Sequence, residues 1–183
     1  YVSGGHPDSM NDVIEKFPFA SDSNSTDVGE LNCPIKSAAG QSSCEFGYNS
    51  GGEDGPNKEQ IQKFPFASDS NSTDVGELTY SRSNAAGQSS MTDGYQSGGG
   101  VPALQNINKF PFASDGNATN IGQLTQGRYK TTGQSSKVSG YTSGGATPGV
   151  CDTIDKFPFA SNDNASDVGE LSQKRDAAAG QQF

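Results

Sequence analysis

The sequence predicts an all-β fold, a small closed β-propeller of four blades with four antiparallel strands in each, on three observations. The segment Lys-Phe-Pro-Phe-Ala-Ser recurs from Lys16, Lys63, Lys109 and Lys156, so Phe17, Phe64, Phe110 and Phe157 follow at steps of 47, 46 and 47 residues. A twin glycine keeps the same step, at Gly4-Gly5, Gly51-Gly52, Gly98-Gly99 and Gly144-Gly145. Between these markers short strand-sized runs are punctuated by Gly, Asn, Asp and Ser, and no window carries the 3.6-residue spacing of a helix over three turns.

The whole chain, residues 1–183, reads as one domain of four repeats, at about 1–47, 48–94, 95–140 and 141–183. A unit read from Ala85 gives a first strand, Ala-Ala-Gly-Gln-Ser-Ser, whose small side chains suit the crowded axis of a ring. The second strand ends in Gly94-Tyr95-Gln96-Ser97-Gly98-Gly99. A variable Pro- and Gly-containing stretch leads into the third strand, Leu104 to Phe112, where Ile107, Phe110 and Phe112 are apolar. Pro111 has no N–H to give a ladder, which predicts an exposed or outer position for that strand. A polar turn then precedes the fourth strand, Asn120 to Leu124. The bulky set typified by Phe17, Phe19, Val28 and Leu31 is expected between neighbouring blades.

The chain opens within a second strand, Tyr1 to Gly5, and closes within a first strand, Ala178 to Phe183. The two ends complement one another, so the last blade is expected to be closed by a strand from each terminus. On that reading, deletion of Tyr1 to Gly5 lowers the melting temperature markedly.

Composition narrows the function. Only 30% of the residues are hydrophobic, with 24 glycines, no tryptophan and a net charge of −9. Such a chain buries little apolar surface per residue, and repetition is what argues against disorder. Twelve basic residues scattered among twenty-one acidic ones exclude a nucleic-acid partner, which needs clustered Lys and Arg. No stretch approaches the roughly 20 apolar residues of a membrane-spanning helix. Catalytic residues are not found. The lone histidine, His6, sits in a Gly-Pro loop without a repeated partner, and a triad or metal site needs converging groups.

Several repeated residues are candidate ligand-binding positions. Tyr1, Tyr48, Tyr95 and Tyr141 recur beside the twin glycine, either as packing aromatics or as four sugar-stacking sites. The turn after Phe-Pro-Phe spaces oxygens at Asp22, Asn24 and Asp27, and again at Asp69, Asn71 and Asp74, in the manner of a weak Ca2+ loop. The same residues make Asx turns without an ion, and the later repeats lose carboxylates at different places. Asn24, Asn71, Asn117 and Asn164 each head an Asn-x-Ser/Thr glycosylation acceptor. The stretches 52–60, 100–105 and 146–152 diverge among repeats on one face of the ring, where binding usually sits on a rigid scaffold.

Cys33, Cys44 and Cys151 stand at non-equivalent repeat positions. Cys33 and Cys44 flank a strand about 15 Å long. A disulfide needs Cα atoms within about 7 Å, which excludes their pairing and leaves Cys151 as the partner expected for Cys33.

Arg82, Arg128 and Arg175 near the start of the unit, the small-residue strand, the Tyr-x-Ser-Gly-Gly strand end and the aromatic third strand together resemble the kelch repeat. Ile35 stands where the first repeat should have Arg, and Leu31, Leu78, Leu124 and Leu171 stand nearest the place of the kelch tryptophan. A single histidine cannot supply the copper site of the kelch-like oxidases. A longer likeness covers Ile14 to Leu31, Ile61 to Leu78, Ile107 to Leu124 and Ile154 to Leu171, with the Ala-Gly-Gln-Ser and Tyr-x-Ser-Gly-Gly strands between. It is similar to repeat arrays in structural proteins of marine cyanobacterial phages. That resemblance implies a non-catalytic virion component, a capsid- or tail-associated decoration or attachment module. Its implied partners are other virion proteins and a host-surface glycan, within a larger assembly at the particle surface. Alternatives are a multivalent lectin and a subunit of an extracellular filament.

Overall fold

A computed structural model describes residues 1–5 and 11–180; His6 lies outside them. The described residues are all-β, without a helix long and apolar enough to cross a membrane. The first sheet has three strands, β1 (Val2–Ser3), β2 (Val13–Lys16) and β3 (Thr26–Glu30). Three four-stranded antiparallel sheets follow. They comprise β4 (Ala39–Ser42), β5 (Phe46–Ser50), β6 (Gln60–Pro65) and β7 (Thr73–Glu77), then β8 (Ala86–Ser89), β9 (Asp93–Ser97), β10 (Asn106–Pro111) and β11 (Thr119–Gln123). The last sheet is built from β12 (Thr132–Ser135), β13 (Ser139–Ser143), β16 (Thr153–Pro158) and β17 (Ser166–Glu170), with a small hairpin, β14 (Ala146–Thr147) and β15 (Gly149–Val150), inserted between its second and third strands.

Each sheet is a meander in which every strand pairs with the next, so local turn chemistry decides the pairing. The hairpin from β4 to β5 is fixed by Ser43, whose Oγ accepts the N–H groups of Glu45 and Phe46; Ser90 and Ser136 repeat this. At the far end of the second strand Gly51 and Gly52 adopt φ of 64° and 97°, a left-handed pair that other residues reach only with strain. A Cβ on Gly51 would strike the carbonyl of Arg82.

The third strand is interior, flanked on both sides, which corrects the outer position expected from Pro111. The proline is accommodated because pairing of β10 with β11 has already stopped at Lys109–Thr119, leaving no ladder acceptor for its missing N–H. The uneven spacing of Ile107, Phe110 and Phe112 also has a local cause. A bulge leaves Ile121 unpaired between the Ile107–Gly122 and Asn108–Asn120 pairs, so Ile107 and Asn108 are both buried. Val28, Val75 and Val168 occupy the same bulge in the other sheets.

The apolar core lies between sheets and not within any one of them. Ile14, Leu31 and Ile35 pack with Phe64; Tyr48, Ile61 and Leu78 pack with Phe110, Phe112 and Ala118; Tyr95, Ile107, Ile121 and Leu124 pack with Phe157. The small first strands stack closely. A Cβ on Gly87 would clash with Gly40 O, one on Gly133 with Gly87 O, and one on Gly180 with Gly133 O. Just before these strands Ser37, Asn84, Lys130 and Ala177 all have positive φ, between 49° and 57°. Their amides form a column through the stack: Asn84 N–H donates to Ser37 O at 2.9 Å, Lys130 N–H to Asn84 O at 2.7 Å and Ala177 N–H to Lys130 O at 2.9 Å.

The expected closure is not made among the described residues. Of the strand expected to close the last blade, residues 181–183 lie outside the described residues; residues 178–180 lie against β12 as a first strand would, and among the described residues β1 pairs with β2. A Cβ on Gly40 would meet nothing within 4 Å, whereas a closed ring would set residue 180 against it. Phe17 is 40% exposed while its counterparts Phe64, Phe110 and Phe157 are buried, and Phe19 is 95% exposed while its counterparts Phe66 and Phe159 are partly buried and Phe112 is buried. Among the described residues three apolar junctions join four sheets in succession, and no fourth junction joins the last sheet to the first.

Candidate functional site

The repeated sequence writes the same junction three times. Tyr1 stacks on Phe66 with ring centroids 4.8 Å apart, Tyr48 on Phe112 at 4.8 Å and Tyr95 on Phe159 at 4.7 Å, each at an interplanar angle of 22–23°. The same tyrosines lie tilted against Phe64, Phe110 and Phe157. Tyr48 and Tyr95 are 2% and 0% exposed, so the sugar-stacking role weighed for them is not available: each ring face is covered by the next sheet. Burial raises both phenols to about 12. Tyr1 is partly exposed, and Tyr141 has no aromatic neighbour among the described residues.

The glycosylation asparagines tie the junctions. Asn71 Oδ1 accepts the N–H of Glu30 at 3.0 Å, Asn117 that of Glu77 at 3.1 Å and Asn164 that of Gln123 at 3.0 Å. The return bond runs from the amide of the residue immediately after each asparagine to the same strand end: Ser72, Ala118 and Ala165 N–H donate to the carbonyls of Glu30, Glu77 and Gln123. Asn24 has no preceding sheet to hold and is exposed.

The six candidate calcium ligands are used one by one. Asp27 and Asp74 accept the N–H groups of Gly29 and Gly76, closing the bulge turn. Asn71 serves its junction, Asp69 lies 3.8 Å from Lys16 Nζ, and Asp22 and Asn24 face solvent. Among the described residues no three His, Cys, Asp or Glu side chains form a metal-holding group.

Polar side chains seal the junctions beneath the aromatics. Gln41 Nε2 reaches Tyr95 O at 3.0 Å and Gln88 Nε2 reaches Tyr141 O at 2.9 Å, each crossing to the next sheet. Gln62, Asn108 and Asp155 accept the N–H groups of Asn32, Thr79 and Thr125. Arg82 and Arg128 are fully buried. Arg128 donates to Gly144 O and Thr153 O, both at 2.8 Å, and to Asp155 Oδ2 at 2.7 Å. Arg82 donates to Gly98 O and Asn106 O and makes no ion pair among the described residues, and burial pulls its pKa down to about 10. Sequence reading placed these arginines as landmarks and missed that they are buried ties.

The cysteines are all free, which corrects the Cys33–Cys151 pairing expected from the sequence. Cys33 Sγ lies beside Gln60 and Cys151 Sγ beside Gln126, in two different junctions, and burial raises the Cys33 thiol.

Two surfaces lie open where the strands end, apart from the faces of the first and last sheets. The three variable stretches all connect the second strand of a sheet to the third, so they emerge at one end of the stack. There Lys36 bridges to Glu53, Lys58 pairs with Asp54 at 2.8 Å, and Tyr129 bridges to Ala146 at the root of the β14–β15 hairpin. Val101 and Val150 are exposed on these loops. The opposite end carries a groove of about 440 Å³ lined by Ser42, Ser43, Ser89, Ser90, Ser135 and Ser136 with Cys44, Met91 and Lys137. Ser42 N–H donates to Ser89 Oγ, and Ser89 N–H to Ser135 Oγ, so this serine row is also part of the stacking. Comparison with protein-family models and with curated proteins gives no match.

Proposed function

We propose that this chain is a non-catalytic structural module of a phage particle, a capsid- or tail-associated scaffold that offers variable loops to other virion proteins or to a host-surface glycan. The observation that carries this reading is the contrast within one repeat. Strands and junctions are nearly invariant, while the loops 52–60, 100–105 and 146–152 differ and project from one end of the stacked sheets. A rigid frame with divergent loops suits recognition by surface, because the frame fixes loop positions without constraining loop sequence. The resemblance to cyanophage repeat arrays supports a position for that surface on a virion. A lectin working through the repeated tyrosines is disfavoured by the burial of Tyr48 and Tyr95.

Mass spectrometry of purified virus particles from the source, with immunogold labelling by an antibody to this chain, tests the reading. Co-purification at stoichiometric abundance with label on the particle surface is expected. Its absence from intact particles would overturn the proposal.

A further inference from the structure

The two ends of the stack are the two halves of its own junction. On the last sheet Tyr141, Ile154 and Leu171 are only half-buried and Val168 is 51% exposed, although the equivalent Ile14, Ile61, Ile107, Leu31, Leu78 and Leu124 are buried wherever another sheet follows. On the first sheet Phe17 and Phe19 stand against each other in solvent, where their counterparts meet a tyrosine of the preceding sheet. The polar groups match as well. Asn24 and Glu15 on the first sheet hold the positions whose equivalents accept N–H groups from the preceding sheet, and Glu170 and Ser172 carry the corresponding donors on the last. Lys16–Asp69 and Lys63–Asp115 ion pairs cross the first two junctions at 3.8 Å and 3.0 Å; Lys156 and Asp22 are the same pair left apart at the two ends.

We propose that a second copy of this chain docks head to tail, its first sheet closing on the last sheet of the first copy. Phe19 then stacks on Tyr141, Phe17 and Phe19 cover Ile154, Val168 and Leu171, and Asp22 meets Lys156. Residues 178–180, lying on β12 in the place of a first strand, come beside the edge of β1 that is unpaired among the described residues. Ser37 of the second copy extends the amide column from Ala177 O. The partner is assigned by continuity, since the contact repeats a junction that the chain already makes three times. It is heterologous, so it builds a ring or an open filament according to the rotation per step. The inference deepens the structural reading above and rests on it only for its place in a particle.

Two single substitutions at exposed positions test the contact without touching any internal junction: Phe19→Asp blocks the front of a copy and Val168→Asp blocks its back. Sedimentation across a dilution series should show the unaltered polypeptide growing in mass with concentration, and each variant remaining a single chain. Mixing the two variants leaves one intact front and one intact back, so a species of twice the single-chain mass is expected and nothing larger. Matched circular dichroism and melting of the two variants establish that they are folded. A single-chain mass for the unaltered polypeptide at all concentrations, assembly by either variant alone, or no pairing in the mixture would each overturn the proposal. A monomer whose melting falls with Phe19→Asp would overturn it in favour of self-closure. Absence from virus particles would leave this contact standing and remove only the virion reading.

Discussion

At the scale of single residues, the buried arginines show how one repeat position carries different energetic weight in different sheets. Arg128 forms an ion pair with Asp155 in which both side chains are 0% exposed, whereas Arg82 bonds only carbonyls and Ile35 occupies the same position in the sheet before. Truncating one partner of a buried pair strands the other charge, at a cost of about 3–5 kcal/mol. Arg128→Ile is therefore expected to destabilise by that order and Arg82→Ile by about 1–3 kcal/mol, the loss of hydrogen bonds to buried carbonyls, compared by urea denaturation. The tyrosines add a pH dependence. Burial raises Tyr48 and Tyr95 to about 12, so the folded chain holds those protons more tightly than the unfolded one, and stability present below the ordinary phenol range, near pH 10, is lost as pH rises toward 12. Arg82, lowered to about 10, works in the opposite sense over the same window, but it is one group against two. Melting temperature should fall between pH 10 and 12, and Tyr48→Phe with Tyr95→Phe should flatten that fall.

At the scale of the element, the first strands are close-packed through their glycines, and the two ends of the row differ. Gly133→Ala would drive a methyl into Gly87 O, while Gly40→Ala points into open space. In the single chain, read from paired thermal melts at high dilution, the first is expected to cost about 1–3 kcal/mol and the second almost nothing. Sequence periodicity made the strands legible, because the alternation of apolar runs with Ser, Asn and Gly is local and each strand pairs with its sequence neighbour. Pro111 misled because the rule for proline depends on how far the partner strand reaches, and here β11 begins only at Thr119, since Ala118 gives its N–H to Glu77 O of the preceding sheet. The junction role of Asn71 was hidden for another reason: its bond to Glu30 spans 41 residues, almost one period, so residue type alone could not separate a tie from a turn or a glycan acceptor.

For the whole molecule, the sequence showed that four units repeat and could not show the angle between them. A ring and an open succession have the same period, the same strands and the same junction chemistry. They differ only in whether unit four meets unit one, and among the described residues exposed Phe19, unfilled space at Gly40 and a Tyr141 without an aromatic neighbour show no such meeting. Stability in such an array is a sum over neighbouring contacts. Deletion of Tyr1 to Gly5 is accordingly expected to weaken only the first junction. Hydrogen exchange should quicken around Phe64 and Phe66 while the amides of Ile107 and Ile121 keep their protection, in place of the global loss that closure by the termini would give.

The near identity of the junctions has a cost during folding. A Phe-Pro-Phe edge fits any exposed tyrosine face, so a chain emerging among its siblings can clasp the wrong neighbour as readily as the right one. Asn162 removes the acid that would have met Lys109, which turns instead to Asp93 at 3.6 Å, and so makes the third contact unlike the first two. Small irregularities of that kind, together with loops of unequal length, give an otherwise monotonous polymer its reading frame.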